Sequence, residues 1–234
     1  MKKELAEKLL EKTKQDYNLV INDFSRANHK IWPELFTIFN NYIKNKDEIL
    51  DIGCGIGRLL EIITGEINYT GIDNSEGQLQ RARGRHQGRN FLLAEATNLP
   101  FEKDSFDKVF LISLLHHLPG RELRVKTIKE AYRVLKPNGL LLLSVWRPKS
   151  FIVVKSILKY SFLKAIGKSQ FDWFDVIIPW AGGGTARYYH LFKLAELIGL
   201  IKNQGFKIIE SGVVKSESGK RANLYVIAQK VLMA

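Results

Sequence analysis

Three glycines at alternate positions stand between a short apolar run and a segment with a helical pattern. They are Gly53, Gly55 and Gly57, and the apolar run before them covers residues 48–52. Glycine is needed where the backbone turns sharply and a ligand approaches closely, because a side chain would block both. A strand, a glycine-rich turn and a helix in this order are typical of the ligand-binding turn of an open α/β sheet.

The spacing of these glycines indicates which class of ligand the turn would bind. A dinucleotide-binding turn reads G-x-G-x-x-G, but here the third glycine comes one position early and Arg58 takes its place. An acidic residue, Asp51, also stands two positions before the first glycine. The spacing therefore disfavours a dehydrogenase.

Short apolar runs alternate with helical segments along most of the chain, which predicts a mainly parallel sheet covered on both faces. Strands are predicted at residues 48–52, 69–72, 90–94, 106–112, 139–145, 206–210 and 224–228, and helices at 2–10, 33–44, 58–64, 76–85 and 122–135. The last two strands follow one another without a helix, which indicates a closing antiparallel hairpin. We expect one doubly wound, seven-stranded α/β domain over residues 1–234, with N-terminal helices within 1–46 and a basic insertion at about 147–170.

Two more acids end the second and third predicted strands. Asp73 lies 22 residues beyond Asp51, a distance at which an acid can accept hydrogen bonds from both hydroxyls of a ribose. Glu95 ends the third strand. Taken singly, either acid could instead be a helix N-cap or part of a solvated turn.

The glycine turn and the two acids resemble, in this order, the cofactor motifs of the class I S-adenosylmethionine-dependent methyltransferases, a Rossmann-like family. Segments 107–118 and 133–139 resemble two further motifs of the family. The resemblance implies S-adenosylmethionine as cofactor. The implied cofactor-binding residues are Asp51, Gly53, Cys54, Gly55, Gly57, Asp73, Asn74, Glu95, Ala96 and Ile112.

A histidine pair, His116 and His117, follows a central predicted strand at the end where open α/β sheets bind ligands. One of the two, for which we choose His116, is expected to line the cofactor or acceptor pocket; the alternative is that both pack the loop. Adjacent residues rarely aim at one ion and no third ligand is evident, so we predict no metal site.

The distal part of the chain resembles the tRNA wobble-uridine carboxymethyl methyltransferases. The resemblance rests on residues 17–33, on 175–180 and above all on 187–192, and it covers about residues 17–230. It implies methyl esterification of a 5-carboxymethyl group, with Arg187 holding the carboxylate and Tyr188, Tyr189 or His190 contacting the base. We favour contact with the acceptor for Tyr188 and packing for Tyr189. Arg221 and Asn223 match another pocket-lining stretch, although the family's Trp after Asn is Leu224 here.

The net charge of +12 favours a polyanionic partner, although a lysine-rich proteome would explain it as well. The insertion at 147–170 could contact phosphates or a membrane surface, or be an ordinary solvated lysine face. The resemblance also implies a small zinc-binding activator protein, which could cover the apolar edge strand at 91–94; an internal loop could do the same. Otherwise we expect a monomer.

Cys54 is the single cysteine, so no internal disulfide can form. The first residues do not resemble a signal peptide and no apolar run is long enough to cross a bilayer, so we expect a cytoplasmic protein without stable membrane insertion. Two other functions stay open: a methyltransferase acting on small molecules, and a non-catalytic protein that binds cofactor or RNA.

Overall fold

The computed structural model describes residues 1–19, 33–147, 151–179, 186–216 and 222–231. The helices are α1 (Lys3–Leu19), α2 (Pro33–Asn40), α3 (Glu76–Arg85), α4 (Arg121–Val134), α5 (Phe151–Ala165) and α6 (Leu194–Lys202). The strands are β1 (Glu48–Ile52), β2 (Asn68–Asp73), β3 (Asn90–Leu93), β4 (Phe106–Ile112), β5 (Leu135–Trp146), β6 (Asp175–Pro179), β7 (Ala186–His190), β8 (Phe206–Lys215) and β9 (Ala222–Lys230).

Seven of the strands form one sheet in the order β3-β2-β1-β4-β5-β9-β8. Strands β1 to β5 pair in parallel, whereas β9 is antiparallel to both β5 and β8. The predicted fold class, the closing hairpin and the edge position of β3 are therefore confirmed.

Side chains on each central strand alternate between two apolar layers, as the pleat of a strand requires. In β1, Leu50 and Ile52 face the layer that contains α4 and α6. Ile49 faces the layer that contains α2 and α3. Helices thus bury both faces of the sheet, which explains why its strands read as continuous apolar runs rather than alternating ones.

The N-terminal helix α1 is longer than predicted and ends at Leu19 rather than near residue 10. A hydrogen bond from Thr13 Oγ1 to the Leu9 carbonyl and an ion pair between Lys12 and Asp16 stabilise the added turns. In contrast, α2 ends at Asn40, short of the predicted residue 44.

The helix predicted at 58–64 is a single 3₁₀ turn, Arg58–Glu61. Three β-branched residues, Ile62, Ile63 and Thr64, follow it, and Gly65 has a φ of 106°. Both features oppose continuation of a helix. Residues 136–139 lie inside β5, where the pairing with β4 is irregular and Asn138 has a φ of 64°.

An antiparallel ribbon, β6–β7, stands apart from the main sheet and was not predicted. Residues 187–192 were used above only for the resemblance, and the first four of them belong to β7. The β-branched and aromatic residues of the ribbon favour extended structure. Val176, Ile178 and Tyr189 form an apolar cluster with Val153 of α5. This packing holds the ribbon and the inserted helix together.

None of the helices in the described part of the chain is long and apolar enough to cross a membrane.

Candidate active site

A cavity of about 530 Å³ lies at the carboxyl ends of the parallel strands. The glycine turn after β1 and the segments after β2, β3 and β4 form its floor. Leu10, Thr13 and Lys14 of α1 line it as well, together with Arg187 and Tyr189 of β7. The site therefore combines the main sheet, the N-terminal helix and the separate ribbon.

The glycine turn is held against β2 by two backbone hydrogen bonds. The amides of Gly53 and Cys54 both donate to the carbonyl of Ile72, at 2.8 and 2.9 Å. Gly53 has a φ of 75°, and a Cβ at this position would lie 2.9 Å from Leu114. Both its conformation and its surroundings thus require glycine.

Gly57 has a different role from the one predicted, because it does not line the cavity. Its φ is 77°, and a Cβ there would meet the ring of His86 at 2.8 Å. Gly57 therefore permits close packing against His86 behind the turn.

Asp51 is a buried acid at the floor of the cavity. Burial raises the pKa of its carboxyl to about 7, although a 2.8 Å hydrogen bond from the Tyr69 hydroxyl opposes the shift. Cys54, which also lines the cavity, has a pKa raised by burial, so its thiol is protonated at neutral pH and is not a nucleophile.

Asp73 is fixed to the glycine turn. Its Oδ2 accepts a 2.9 Å hydrogen bond from the amide of Gly55, and its Oδ1 accepts one of the same length from the amide of Ser75. The N-cap of α3 is Ser75, whose hydroxyl accepts from the amide of Gln78. Asp73 is therefore not a helix cap, and its carboxylate keeps further lone pairs for a ligand in the cavity.

Asn74 and Glu95 lie together at the ends of β2 and β3, with the Asn74 amide donating to Glu95 Oε2 at 3.3 Å. Ala96 follows Glu95, and Ile112 ends β4; all four residues line the cavity. The segment offers both polar acceptors and an apolar wall, which suits an adenine ring.

This donor and acceptor set fits S-adenosylmethionine. Asp51 and the backbone of the glycine turn would hold the methionine part, Asp73 the ribose, and Glu95 with Asn74 and Ile112 the adenine. These assignments are proposals from the chemistry of the lining.

Alternate residues of β7 face opposite sides. Arg187 and Tyr189 line the cavity, whereas Tyr188 and His190 do not. The expectation that Tyr188 and His190 contact the acceptor is therefore corrected. Tyr189 packs in the apolar cluster with Val153, as expected, and it also lines the cavity. A strand places residues i and i+2 on the same face, so Arg187 and Tyr189 share the cavity side and Tyr188 and His190 share the other.

Tyr188 and His190 belong to a buried polar network behind the cavity. Asp175 Oδ1 accepts from the Tyr188 hydroxyl and contacts His190 Nδ1, both at 2.7 Å. His190 Nε2 lies 2.8 Å from Glu196, and Arg124 donates to the Tyr188 hydroxyl at 3.2 Å. Burial opposes protonation of His190, but the Asp175 and Glu196 carboxylates hold its pKa above the ordinary value.

Both histidines of the predicted pair line the cavity beside Tyr189. The His116 ring stacks on Tyr189 with centroids 5.6 Å apart, and the His117 and Trp146 rings lie 4.8 and 5.1 Å from it. The rings of His116, His117, Trp146 and Tyr189 together form one aromatic wall of the cavity.

Both histidines are neutral at physiological pH. Burial lowers the pKa of His116 well below its usual value, and burial with the nearby Arg187 charge lowers that of His117 to about 3. His116 Nδ1 accepts from the Trp146 amide at 3.3 Å, which places the ring proton on Nε2. His117 Nδ1 faces the Tyr188 carbonyl at 3.4 Å and therefore carries its proton there.

Sequence reasoning missed the contribution of α1 and of Trp146, because the helix was predicted to end too early and Trp146 carried no motif. Asn223 lines the cavity as the resemblance implied. The residues 24–26 and 32, Trp180 and Arg221, which also supported the resemblance, lie outside the described residues, as does the side chain of Tyr17.

Comparison with known proteins agrees with this geometry. Residues 50–143 match a family model described as a methyltransferase domain. A methyltransferase of Encephalitozoon cuniculi is 33% identical over 191 residues, which are 81% of this chain and 84% of that protein. The chain belongs to the class I S-adenosylmethionine-dependent methyltransferases. A solved S-adenosylmethionine-dependent methyltransferase of Methanosarcina mazei superposes with a TM-score of 0.70 at 29% identity, covering 84% of this chain and 98% of that one.

Another relative, whose name includes its substrate, is the tRNA (carboxymethyluridine(34)-5-O)-methyltransferase of Saccharomyces cerevisiae. It is 33% identical over 144 residues, which are 60% of this chain and 50% of the yeast protein. The methyltransferase therefore spans about half the length of that relative.

Proposed function

We propose that this methyltransferase transfers a methyl group to the carboxylate of a 5-carboxymethyl-type uridine at the wobble position of tRNA, in the cytoplasm. The observation that carries the proposal is Arg187, a buried guanidinium at the cavity wall beside Tyr189. The similarity to the yeast tRNA methyltransferase supports the same substrate class.

Arg187 supplies the charge that a carboxylate acceptor requires. A guanidinium binds a carboxylate with two parallel hydrogen bonds, which fixes the direction of the oxygen that reacts. The residue is only 1% exposed, so water competes weakly for its donors. The polar network of Asp175, Tyr188 and His190 holds β7 from behind and thereby positions Arg187.

The chemistry needs no general base, because a carboxylate is already an anionic nucleophile at neutral pH. When bound, S-adenosylmethionine supplies a methyl group on a sulfonium that is its own leaving group. The neutral histidines fit this reaction, since they line the site without competing with the carboxylate for a proton or for Arg187. The protein contributes orientation and exclusion of water.

The aromatic wall of His116, His117, Trp146 and Tyr189 provides a surface on which an unstacked base can lie. Tyr189 is the central ring of this wall. The net charge of +12 raises the local concentration of tRNA around the site.

We further propose that a small zinc-binding activator pairs with the edge strand β3. Leu92 and Leu93 are 36% and 56% exposed, and an exposed apolar edge invites pairing with another chain. If so, Leu93→Glu should abolish co-purification with a co-expressed candidate activator. Ile209→Glu on β8, the opposite edge strand, should leave it unchanged; equal loss in both variants would argue against β3.

The decisive experiment measures transfer of labelled methyl groups to total tRNA from a strain that lacks this gene, with and without a candidate activator. The tRNA is then digested and its nucleosides are identified by mass. A methyl ester on a modified wobble uridine is the expected product. Cofactor binding without labelling of tRNA under either condition would overturn the proposal.

A small-molecule methyltransferase is the second candidate, and α1 favours it. Leu10, Thr13 and Lys14 line the cavity and narrow the space left for an acceptor, which would suit a compact molecule. Labelling of a small-molecule extract, but not of tRNA, would select this alternative.

A further inference from the structure

The outward face of α5 carries large apolar side chains that nothing in the described residues covers. Phe151, Val154, Leu158 and Phe162 are 71%, 50%, 66% and 64% exposed. Their spacing of three or four residues places them on one side of the helix. Ile166 and Trp173, which follow the helix, are 46% and 54% exposed.

The opposite face of α5 is already used for packing. Val153 is buried against Val176, Ile178 and Tyr189, with Ile157 and Tyr160 packed on the same cluster. The outward apolar stripe is therefore not needed to hold the helix on the ribbon. A contiguous exposed apolar surface of this kind marks an interaction site.

The charged residues of α5 itself are all positive. Lys155 and Lys159 are exposed on the same outward half of α5, and Lys164 and Lys168 follow. The sequence contains no Asp or Glu between residues 148 and 171. The partner of this surface must therefore be both apolar and anionic.

We propose that α5 binds the surface of an anionic lipid bilayer, with its axis parallel to the membrane plane. An interfacial helix buries an apolar stripe below the headgroups while its lysines reach the lipid phosphates. Exposed tryptophan is also typical of the interface between membrane and water, and Trp173, eight residues after the end of the helix, is exposed.

Two other occupants fit the surface less well. A second copy of the chain would bring the lysines of both helices together, and like charges repel. A nucleic acid would pair with the lysines but would leave Leu158 and Phe162 in contact with water or phosphate. A lipid surface offers apolar acyl chains to the stripe and anionic phosphates to the lysines.

This binding would place the reaction site at the membrane, because the inner face of α5 packs on Tyr189, which lines the cavity. The inference does not depend on the identity of the acceptor. It concerns where the methyltransferase works rather than what it methylates.

Flotation with vesicles tests the proposal. The protein should float with vesicles of equimolar phosphatidylcholine and phosphatidylglycerol, but not with phosphatidylcholine alone. Leu158→Ser with Phe162→Ser should weaken this binding by more than about tenfold. Lys155→Gln with Lys159→Gln should weaken it by about fivefold per lysine.

Matched controls lie in β8 and around the end of α6, outside the α5 surface. Ile209→Ser with Val213→Ser removes exposed apolar side chains of β8, and Lys202→Gln with Lys207→Gln removes exposed lysines. Both pairs should leave flotation unchanged. Each variant must also keep wild-type affinity for S-adenosylmethionine, which shows that it is folded. If the apolar variants of α5 float as well as wild type, the proposal fails.

A fluorescent label identifies the face that enters the lipid. The single native cysteine, Cys54, is buried, so Leu158→Cys provides one exposed thiol for an environment-sensitive dye. Anionic vesicles should shift the emission to the blue. A shift that appears with tRNA and not with vesicles would identify an RNA surface instead. A shift that appears on concentrating the protein alone would identify a dimer contact; either result overturns the proposal.

Discussion

The hydroxyl of Tyr188 donates a 2.7 Å hydrogen bond to Oδ1 of Asp175, across the ribbon and away from the cavity. The two strands β6 and β7 are paired so that Ile177 lies opposite Tyr188 and Ile178 opposite Arg187. Successive residues of a strand point to opposite faces. The bond that holds Tyr188 on the face away from the cavity therefore also directs Arg187 to the cavity.

Replacement of Arg187 should separate acceptor binding from cofactor binding. We expect Arg187→Ala to lower kcat/KM for tRNA by about 10–100-fold, the usual effect of losing hydrogen bonds to a charged group. Arg187→Lys should recover only part of the activity, because an ammonium cannot bind a carboxylate bidentately. Calorimetry should show unchanged affinity for S-adenosylmethionine; an equal loss of both would make Arg187 structural.

Tyr188→Phe should act on stability instead. The change removes one donor from the buried Asp175, and an unsatisfied buried group costs about 1–3 kcal/mol. Urea unfolding should register this loss, while Tyr189→Phe, on the cavity side, should change stability less and activity more. The reverse ranking would contradict the division of roles along β7.

Asp73 should determine affinity for the ribose of the cofactor. Asp73→Asn keeps the size of the side chain but removes its charge and one acceptor for the Gly55 or Ser75 amide. We expect S-adenosylmethionine to bind about 10–100-fold more weakly, measured by calorimetry. The control is Glu76→Gln in the exposed first turn of α3, for which affinity should stay at the wild-type level.

The pH dependence of cofactor binding should report Asp51. Its pKa is raised to about 7, so the carboxyl is mostly protonated at pH 6 and mostly ionised at pH 8. The ionised form attracts the ammonium of the methionine part, so affinity should rise with pH through 7 and level off above 8. Asp51→Asn should flatten this profile. A wild-type profile that is already flat would remove Asp51 from the ammonium site.

The raised pKa of Asp51 should make the free energy of unfolding fall with rising pH, whereas affinity for the cofactor should increase. An acid whose pKa is higher in the folded than in the unfolded state favours folding at low pH, and this contribution is lost as pH rises from about 4 to 7. The free energy of unfolding of Asp51→Asn should therefore fall less than that of wild type between pH 5 and pH 8.

Binding of tRNA should weaken as salt increases, because neutralised phosphates release counterions. The logarithm of affinity should fall linearly with the logarithm of salt concentration, as filter binding can measure. An affinity that does not depend on salt would show that the positive charge does not contact tRNA.

The cofactor half of the site could be predicted from the sequence, whereas the acceptor half could be predicted only in part. The turn at Gly53 and the acid at Asp73 follow from local chemistry, since a strand end, a sharp turn and a fixed spacing set their positions. The directions in which Tyr188 and Tyr189 point depend on whether residues 187–192 form a strand or a helix. Packing of Tyr189 against Val153 of α5 favours the strand, and this contact between distant parts of the chain cannot be read from residues 187–192 alone.

Helix α1 illustrates the same limit. Its apolar pattern predicts a helix, but Thr13 and Lys14 are ordinary surface residues until the fold brings them over the cavity. Their contribution depends on contacts between distant parts of the chain, and no local pattern encodes it.

The separation of the ribbon from the main sheet has an evolutionary consequence. In the described residues, the main sheet, to which we assign the cofactor, and the ribbon, to which we assign the acceptor, share no strand pairing. Selection can therefore exchange one specificity element for another without rebuilding the catalytic scaffold. A chimera that carries residues 147–192 on a related scaffold should keep its cofactor affinity and acquire a new acceptor, so this segment could be exchanged as one unit in engineering.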